Sequence, residues 1–263
     1  MREAFSRAAA HYDEAAVLAR ETGRRLAERL DWVKLTPQCV ADIGCASGDG
    51  VRELQRRYPG SQAIAVDFSP AMLDATRVRA PTPDQVPLLV NADARALPLA
   101  AGSIDLAWSN LVLHWLDDPL PAFLEIRRTL AVGGLFSFAM LGPDTLKELR
   151  VAGAKTVRRF IDMHDIGDML VAAGFAEPVM DMEVITLNYR RAADFLADQR
   201  HLGVRDGLLG QLSWRQARQV FRAWRRTDDG RLPATFEIVF GHAWKGEATT
   251  SDDGRSVVRF HRQ

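Results

Sequence analysis

The segment Val40-Ala41-Asp42-Ile43-Gly44-Cys45-Ala46-Ser47-Gly48-Asp49-Gly50 runs from apolar residues into a small-residue turn flanked by carboxylates. Glycine in such a turn allows positive φ and lets backbone approach a ligand closely. A strand entering the turn and a helix leaving it would aim backbone N–H groups at a ligand beside the carboxyl edge of a parallel sheet. Asp67 closes the next apolar run, where a carboxylate can accept both hydroxyls of a ribose. Asp93, in Asn91-Ala92-Asp93-Ala94, closes a third; it could accept the exocyclic amine of adenine while Ala94 N–H faces a ring nitrogen. Taken singly, the loop could be a tight turn that binds nothing, Asp67 an N-cap and Asp93 a turn residue. Ser69 is available to cap the helix after Asp67, and the three acids together form a stronger signal than any one.

The loop discriminates between cofactors. A dinucleotide fingerprint needs glycine at 44, 46 and 49, but the chain has Ala46 and Asp49, and no Gly-Lys-Ser/Thr follows to make a phosphate loop. Carboxylates at 42 and 49 would repel a pyrophosphate. They would attract the sulfonium and ammonium of S-adenosyl-L-methionine, whose product is S-adenosyl-L-homocysteine.

These residues need strand tips to hold them. Apolar runs at 39–43, 62–67, 86–90, 104–109 and 135–141 alternate with helical patterns at 49–57, from Ser69-Pro70 onward, and at 117–130, the last ending at Gly133-Gly134 as a C-cap. An earlier helix is expected at 13–30. Strand–helix alternation predicts an α/β fold, a doubly wound and mostly parallel seven-stranded sheet with helices on both faces. After Leu141 the rhythm changes: a polar helical stretch at 143–159, a helix at 164–173 ended by Gly174, a strand at 184–189, a mostly helical segment at 191–226 and a strand at 235–244. One domain over 1–245 is expected, with insertions at about 142–163 and 190–230 as a helical lid, and a poorly ordered tail over 246–263.

The 263-residue chain is 47% hydrophobic and carries 34 basic and 34 acidic residues, so no global field favours nucleic acid or an anionic membrane. Two cysteines, Cys39 and Cys45, make neither a zinc set nor a disulfide framework and fit a reducing cytoplasm. The charged N-terminus lacks the apolar core of a signal peptide, no run is long enough to span a membrane, and nothing argues for a metal.

With these motifs placed, the chain resembles class I adenosylmethionine-dependent methyltransferases over its first 145 residues, through the loop at 42–50, Asp67, Asp93 and Leu97-Pro98-Leu99 followed by Ile104-Asp105-Leu106. More narrowly it resembles the malonyl-acyl-carrier-protein O-methyltransferases of biotin synthesis, over about residues 3–245. The stretches that carry this are Phe5-Ser6-Arg7-Ala8-Ala9-Ala10-His11-Tyr12, Trp108-Ser109-Asn110-Leu111-Val112-Leu113-His114-Trp115, Gly142-Pro143-Asp144-Thr145-Leu146-Lys147-Glu148-Leu149-Arg150, Asp162-Met163-His164-Asp165-Ile166-Gly167 and Leu232-Pro233-Ala234-Thr235-Phe236-Glu237. The chain departs from the pattern at Ala46, where these loops carry a middle glycine; the methyl group is tolerated if φ is negative there. Complex I assembly factors of the same fold, one of them an arginine hydroxylase, share the His114-Trp115 and Asp144-Thr145-Leu146 patterns and supply the alternative reading. A cofactor-binding interaction protein without turnover is a third.

The resemblance implies methylation of the free carboxyl of malonyl-acyl carrier protein, the malonyl group riding on phosphopantetheine. Cofactor contacts are then expected from Arg7 and Tyr12, on a segment that folds over the cofactor in that family, from Asp42, Gly44, Cys45, Ala46 and Gly48, and from Asp67, Phe68, Met72, Asp93, Ala94, Asn110 and Trp115. A malonyl carboxylate is ionised near neutral pH, so no general base is needed. It needs donors to place it, and Arg150, His164 and His114 are the candidates. An acidic carrier calls for a basic face, which Arg215, Arg218, Arg222 and Arg225 offer at helical spacing, with Arg226 beside them. A solvated helix face, structural histidines and an Arg150 paired with Glu148 or Asp144 are the ordinary alternatives.

Overall fold

The computed structural model describes residues 2–247; the expected tail lies outside them from residue 248 on. Seven strands form one sheet: β1 Cys39–Ile43, β2 Gln62–Asp67, β3 Leu88–Asn91, β4 Ile104–Asn110, β5 Leu130–Leu141, β6 Ala176–Tyr189 and β7 Leu232–Trp244. Their order is β3-β2-β1-β4-β5-β7-β6. All neighbours through β5 run parallel, and β7 lies antiparallel between β5 and β6. The order reverses between β1 and β4, so the loops after these strands open a crevice at the carboxyl edge of the sheet.

Eleven helices fill the connections among the described residues. α1 Arg2–Ala8, α2 Tyr12–Ala15 and α3 Val17–Arg29 precede the sheet; α4 Asp49–Arg57, α5 Pro70–Val78 and α6 Leu120–Thr129 are its crossovers. α7 Lys147–Val151, α8 Met163–Ala172, α9 Ala192–His201, α10 Arg205–Leu209 and α11 Trp214–Ala223 belong to the second half. A core lies on each face of the sheet. On one, Leu26, Val51, Leu54, Leu106 and Trp108 pack with the late helices. On the other, Phe136 and Phe138 stack at 4.7 Å and meet Phe123 of α6 and Phe175 beyond α8. Burying each such side chain contributes about 1.5–3 kcal/mol.

The crossover elements fall where periodicity puts them, and the departures have local causes. The helix expected at 117–130 starts only at Leu120, whose N–H the Asp118 carboxylate accepts at 3.0 Å. Gly133-Gly134 is no C-cap. β5 begins at Leu130, and the glycines sit where its register with β4 slips between Ile104 and Leu106; their backbone bonds go to Lys245. The stretch at 143–159 is helical only over α7, bounded by Leu146 at φ 56° and Gly153 at φ 97°. β7 starts slightly before 235, at Leu232, and β6 well before 184, at Ala176, because β6 is an edge strand whose exposed positions mix polar residues with Val179, Met182 and Val184 and so show no clean alternation.

The two insertions meet each other. Arg158 N–H donates to Leu208 O at 2.8 Å and Thr156 Oγ1 to Leu209 O at 2.7 Å. Val157 and Phe160 share a core with Phe195, Leu208 and Trp224.

Candidate active site

The site is built from the tips of β1, β2 and β4. Gly44, at φ 83°, is the one residue type that fits beneath Val112, since a Cβ there would collide with both Val112 methyls. Gly50 admits the Asp42 carboxylate and the Trp108 indole against the start of α4. Ala46 adopts φ 46°, so the expected negative φ is not what the chain uses: an alanine holds the left-handed conformation that glycine adopts without strain. Its N–H then points at Asp67 Oδ2, 3.0 Å away.

Asp42 is buried, its Oδ2 has no partner, and burial together with the nearby Asp67 pushes its carboxyl up to about 7. Burial likewise raises Asp67 to about 6, against the pull of backbone N–H groups of Ser69 and Ala46. Those two bonds fix the Asp67 carboxylate and leave each oxygen capacity to accept a hydroxyl. Ser69 stands at the N-cap of α5 but caps nothing with its side chain, which instead meets Ser6 Oγ at 2.8 Å. Trp108 Nε1 and Asn110 Oδ1 are also buried without partners, while Asn110 Nδ2 holds Ala19 O of α3 at 2.8 Å. Leu111, just beyond β4, is strained at φ 56°.

The N-terminal helices cover these tips. Phe5 of α1 stands edge-on to Phe68 at 5.7 Å and to Trp115 at 6.4 Å. Asp13 accepts from Ser47 Oγ at 2.5 Å and pairs with Arg79, tying α2 across the glycine loop. Tyr12 is enclosed, and burial with the charge of Asp67 raises its phenol. The cavity that these helices cover is about 340 Å³.

Of the expected contacts, Tyr12, Asp42, Gly44, Cys45, Ala46, Asp67, Phe68, Asp93, Ala94, Asn110 and Trp115 line this cavity. Asp93 does so with its carboxylate held by Arg95 in two bonds of 2.7 and 3.0 Å, which keeps it below the usual carboxylate range. Gly48, Met72 and Arg7 are not in the lining. Gly48 starts α4 against Thr76, Met72 is buried on α5, and Arg7 faces away on α1 toward Glu3.

The three acceptor candidates also lie elsewhere. Arg150 donates to Thr145 O at 2.7 Å and to Pro143 O, closing the loop that precedes it. His164 is exposed beside Asp162, the N-cap of α8. His114 is buried against Trp115 and Phe160, accepts Leu141 N–H, and is driven by burial down to about 3, so it stays a neutral structural imidazole. Sequence reasoning passed over Phe5, Trp108 and above all Arg158. The Arg158 guanidinium donates to Trp115 O at 3.2 Å and Asp117 at 2.8 Å, and its Nε is buried without a partner. No spacing marks it, because the irregular chain of the first insertion delivers it.

The residues suit adenosylmethionine: unpartnered acceptors Asp42 Oδ2 and Asn110 Oδ1 for an ammonium, Asp67 for a ribose, and Phe5 and Phe68 for a base. Strand order, glycine loop and strand-tip acids define a class I methyltransferase. The methyltransferase domain family matches residues 41–138. The malonyl-[acyl-carrier protein] O-methyltransferases of Gallionella capsiferriformans and Laribacter hongkongensis are each 44% identical to this chain, over 98% and 99% of it and 94% and 95% of their own lengths. The chain belongs to the malonyl-[acyl-carrier protein] O-methyltransferase family. Among solved structures, the YcgJ protein from Bacillus subtilis shares the fold, with a TM-score of 0.64 at 15% identity over 86% of this chain and 99% of that one.

Proposed function

We propose that this protein methylates the free carboxyl of malonyl-acyl carrier protein with S-adenosyl-L-methionine, forming the ester that enters biotin-precursor synthesis. The observation that carries it is the unpartnered buried carboxylate oxygen of Asp42 beside Asp67: keeping both acids ionised in that volume calls for a cation. The acceptor follows from what the relatives are named for.

The bound cofactor supplies an electrophilic methyl on a sulfonium. Asp42 and Asn110 would hold its ammonium, Asp67 its ribose, Phe5 and Phe68 its base, and Asp93 with Ala94 N–H the edge of that base. Tyr12 and Trp115, both in the lining, would wall the bound cofactor and exclude water. Displacement at carbon needs alignment more than acid–base help, and an ionised carboxylate carries its own nucleophilic electron pair. Arg158, which donates to the lining residues Trp115 and Asp117 without itself lining the cavity, replaces Arg150 as the residue to orient that carboxylate.

Arg215, Arg218 and Arg222 are exposed on α11, and Arg218 lies 5.3 Å over the exposed Trp214 ring. α11 ends at Ala223, so Arg225 and Arg226 flank it; Arg226 is tied to Arg190 O and Gly230 O. This arginine face is the proposed dock for the acidic carrier. No helix among the described residues is long and apolar enough to cross a membrane, and a cytoplasmic setting fits a carrier substrate.

Incubation with malonyl-carrier and methyl-labelled adenosylmethionine should leave base-labile label on the carrier. No transfer, or an oxidised arginine in a protein partner instead, rejects the reading. Arg218→Glu with Arg222→Glu should weaken carrier binding at least about ten-fold with adenosylmethionine binding intact.

A further inference from the structure

A second cleft, of about 610 Å³, lies on the far side of α1. Glu3, Ala4, Arg7 and Ala8 form one wall, and Arg200 with the α9–α10 turn forms the other. The walls approach closely at Gly203, φ 74°, where a Cβ would stand 2.9 Å from Ala4 O and 3.1 Å from Ala8 Cβ. α1 is therefore a partition: Phe5 faces the cofactor cavity and Arg7 the cleft.

The cleft gathers arginines that tie little of the fold together. Arg7 meets Glu3 only at 3.8 Å with both side chains largely in solvent. Arg205 pairs with its neighbour Asp206 at 2.7 Å. Arg200 makes no ion pair among the described residues, and the His11 and His201 rings lie 5.6 Å apart at the same place. Three arginines face two lining carboxylates, with Glu14 as a third acid beside His11 at 3.0 Å and His201 at 3.9 Å, so Arg200 is the cation left without an ion pair among the described residues. Guanidinium forks match phosphate oxygens in two-pronged fashion.

The space is larger than a free phosphate fills, and Ala4, Ala8 and Gly203 give it a small-residue floor that a branched aliphatic chain could cover. The cleft also adjoins the acceptor side. α10 holds Arg158 through Leu208 O, and Arg158 in turn touches Trp115 and Asp117 at the cofactor cavity.

We propose that the cleft between α1 and the α9–α10 turn binds the phosphodiester end of a phosphopantetheine arm, with Arg200 and Arg7 as its phosphate contacts. This rests on the carrier-borne substrate proposed above.

The test titrates 4′-phosphopantetheine and phosphate-free pantetheine into the full chain. The phosphorylated arm should bind about ten-fold tighter. Arg200→Gln and Arg7→Gln should erase that preference while leaving adenosylmethionine affinity unchanged, which also shows that the variants fold. Equal affinity for the two ligands, or a preference that survives both substitutions, overturns the proposal. Holo-carrier and coenzyme A present the same arm: both should depend on Arg200, and the tighter binder identifies the source. A phosphate preference without methyl transfer to malonyl-carrier would sink the proposed reaction and spare the cleft; transfer without the preference would do the reverse.

Discussion

Asp42 and Asp67 set the pH behaviour of the site. Both carboxyls are raised in the folded protein, to about 7 and about 6. The empty folded state therefore holds these protons more tightly than the unfolded chain, and their contribution to stability declines as pH rises from about 4 to about 7. A cationic ligand favours the ionised forms and reverses this. Adenosylmethionine should bind more tightly as pH rises from about 5.5 to about 8, with proton release near pH 6.5. Calorimetry in two buffers of different ionisation enthalpy reads both; a flat profile or proton uptake contradicts the assignment. Ala46 gives an independent check. Its methyl group sits at φ 46°, so Ala46→Gly should stabilise the protein by about 1 kcal/mol in denaturant melts, and a loss would mean that the loop follows another path.

Among the elements, the late motifs turn out to be joints. Gly142 N–H donates to Glu237 O, Asp144 N–H to Glu237 Oε2, and Thr145 Oγ1 exchanges bonds with the Glu237 backbone. Glu148 reaches Thr235 in the same corner, and Arg150 closes it. The segments 142–150 and 232–237 thus anchor the first insertion to β7. A Cβ on Gly142 would strike the Glu237 carboxylate, so Gly142→Ala should destabilise by about 1–3 kcal/mol and lower the melting temperature. An unchanged melt would show that the corner yields. The crossovers and strand-tip acids were legible in the sequence, because alternation and turn chemistry are local signals. The joint was not: its partners are some ninety residues apart, and an arginine that holds loop carbonyls reads like one that waits for a ligand. His114 was misread for the same reason, since only packing reveals that its ring is sealed in. Ala46 was misread because a side chain does not announce a positive φ.

Across the whole molecule, zero formal charge hides separated fields: acids inside the nucleoside cavity, arginines outside on α11 and around the second cleft. The interior acids are shielded from salt and the exterior arginines are not. Raising ionic strength from about 0.05 to about 0.5 M should weaken carrier binding several-fold and slow its association. Adenosylmethionine affinity should change little over the same range. Equal sensitivity of the two would place the docking charges somewhere other than an open surface.

The N-terminal arm, pinned by Asp13 to Ser47 and Arg79, lies across the glycine loop at the cavity that Phe5 and Tyr12 line. Anything that leaves the cavity past that arm must first break both Asp13 contacts, so latch and binding loop act as one unit.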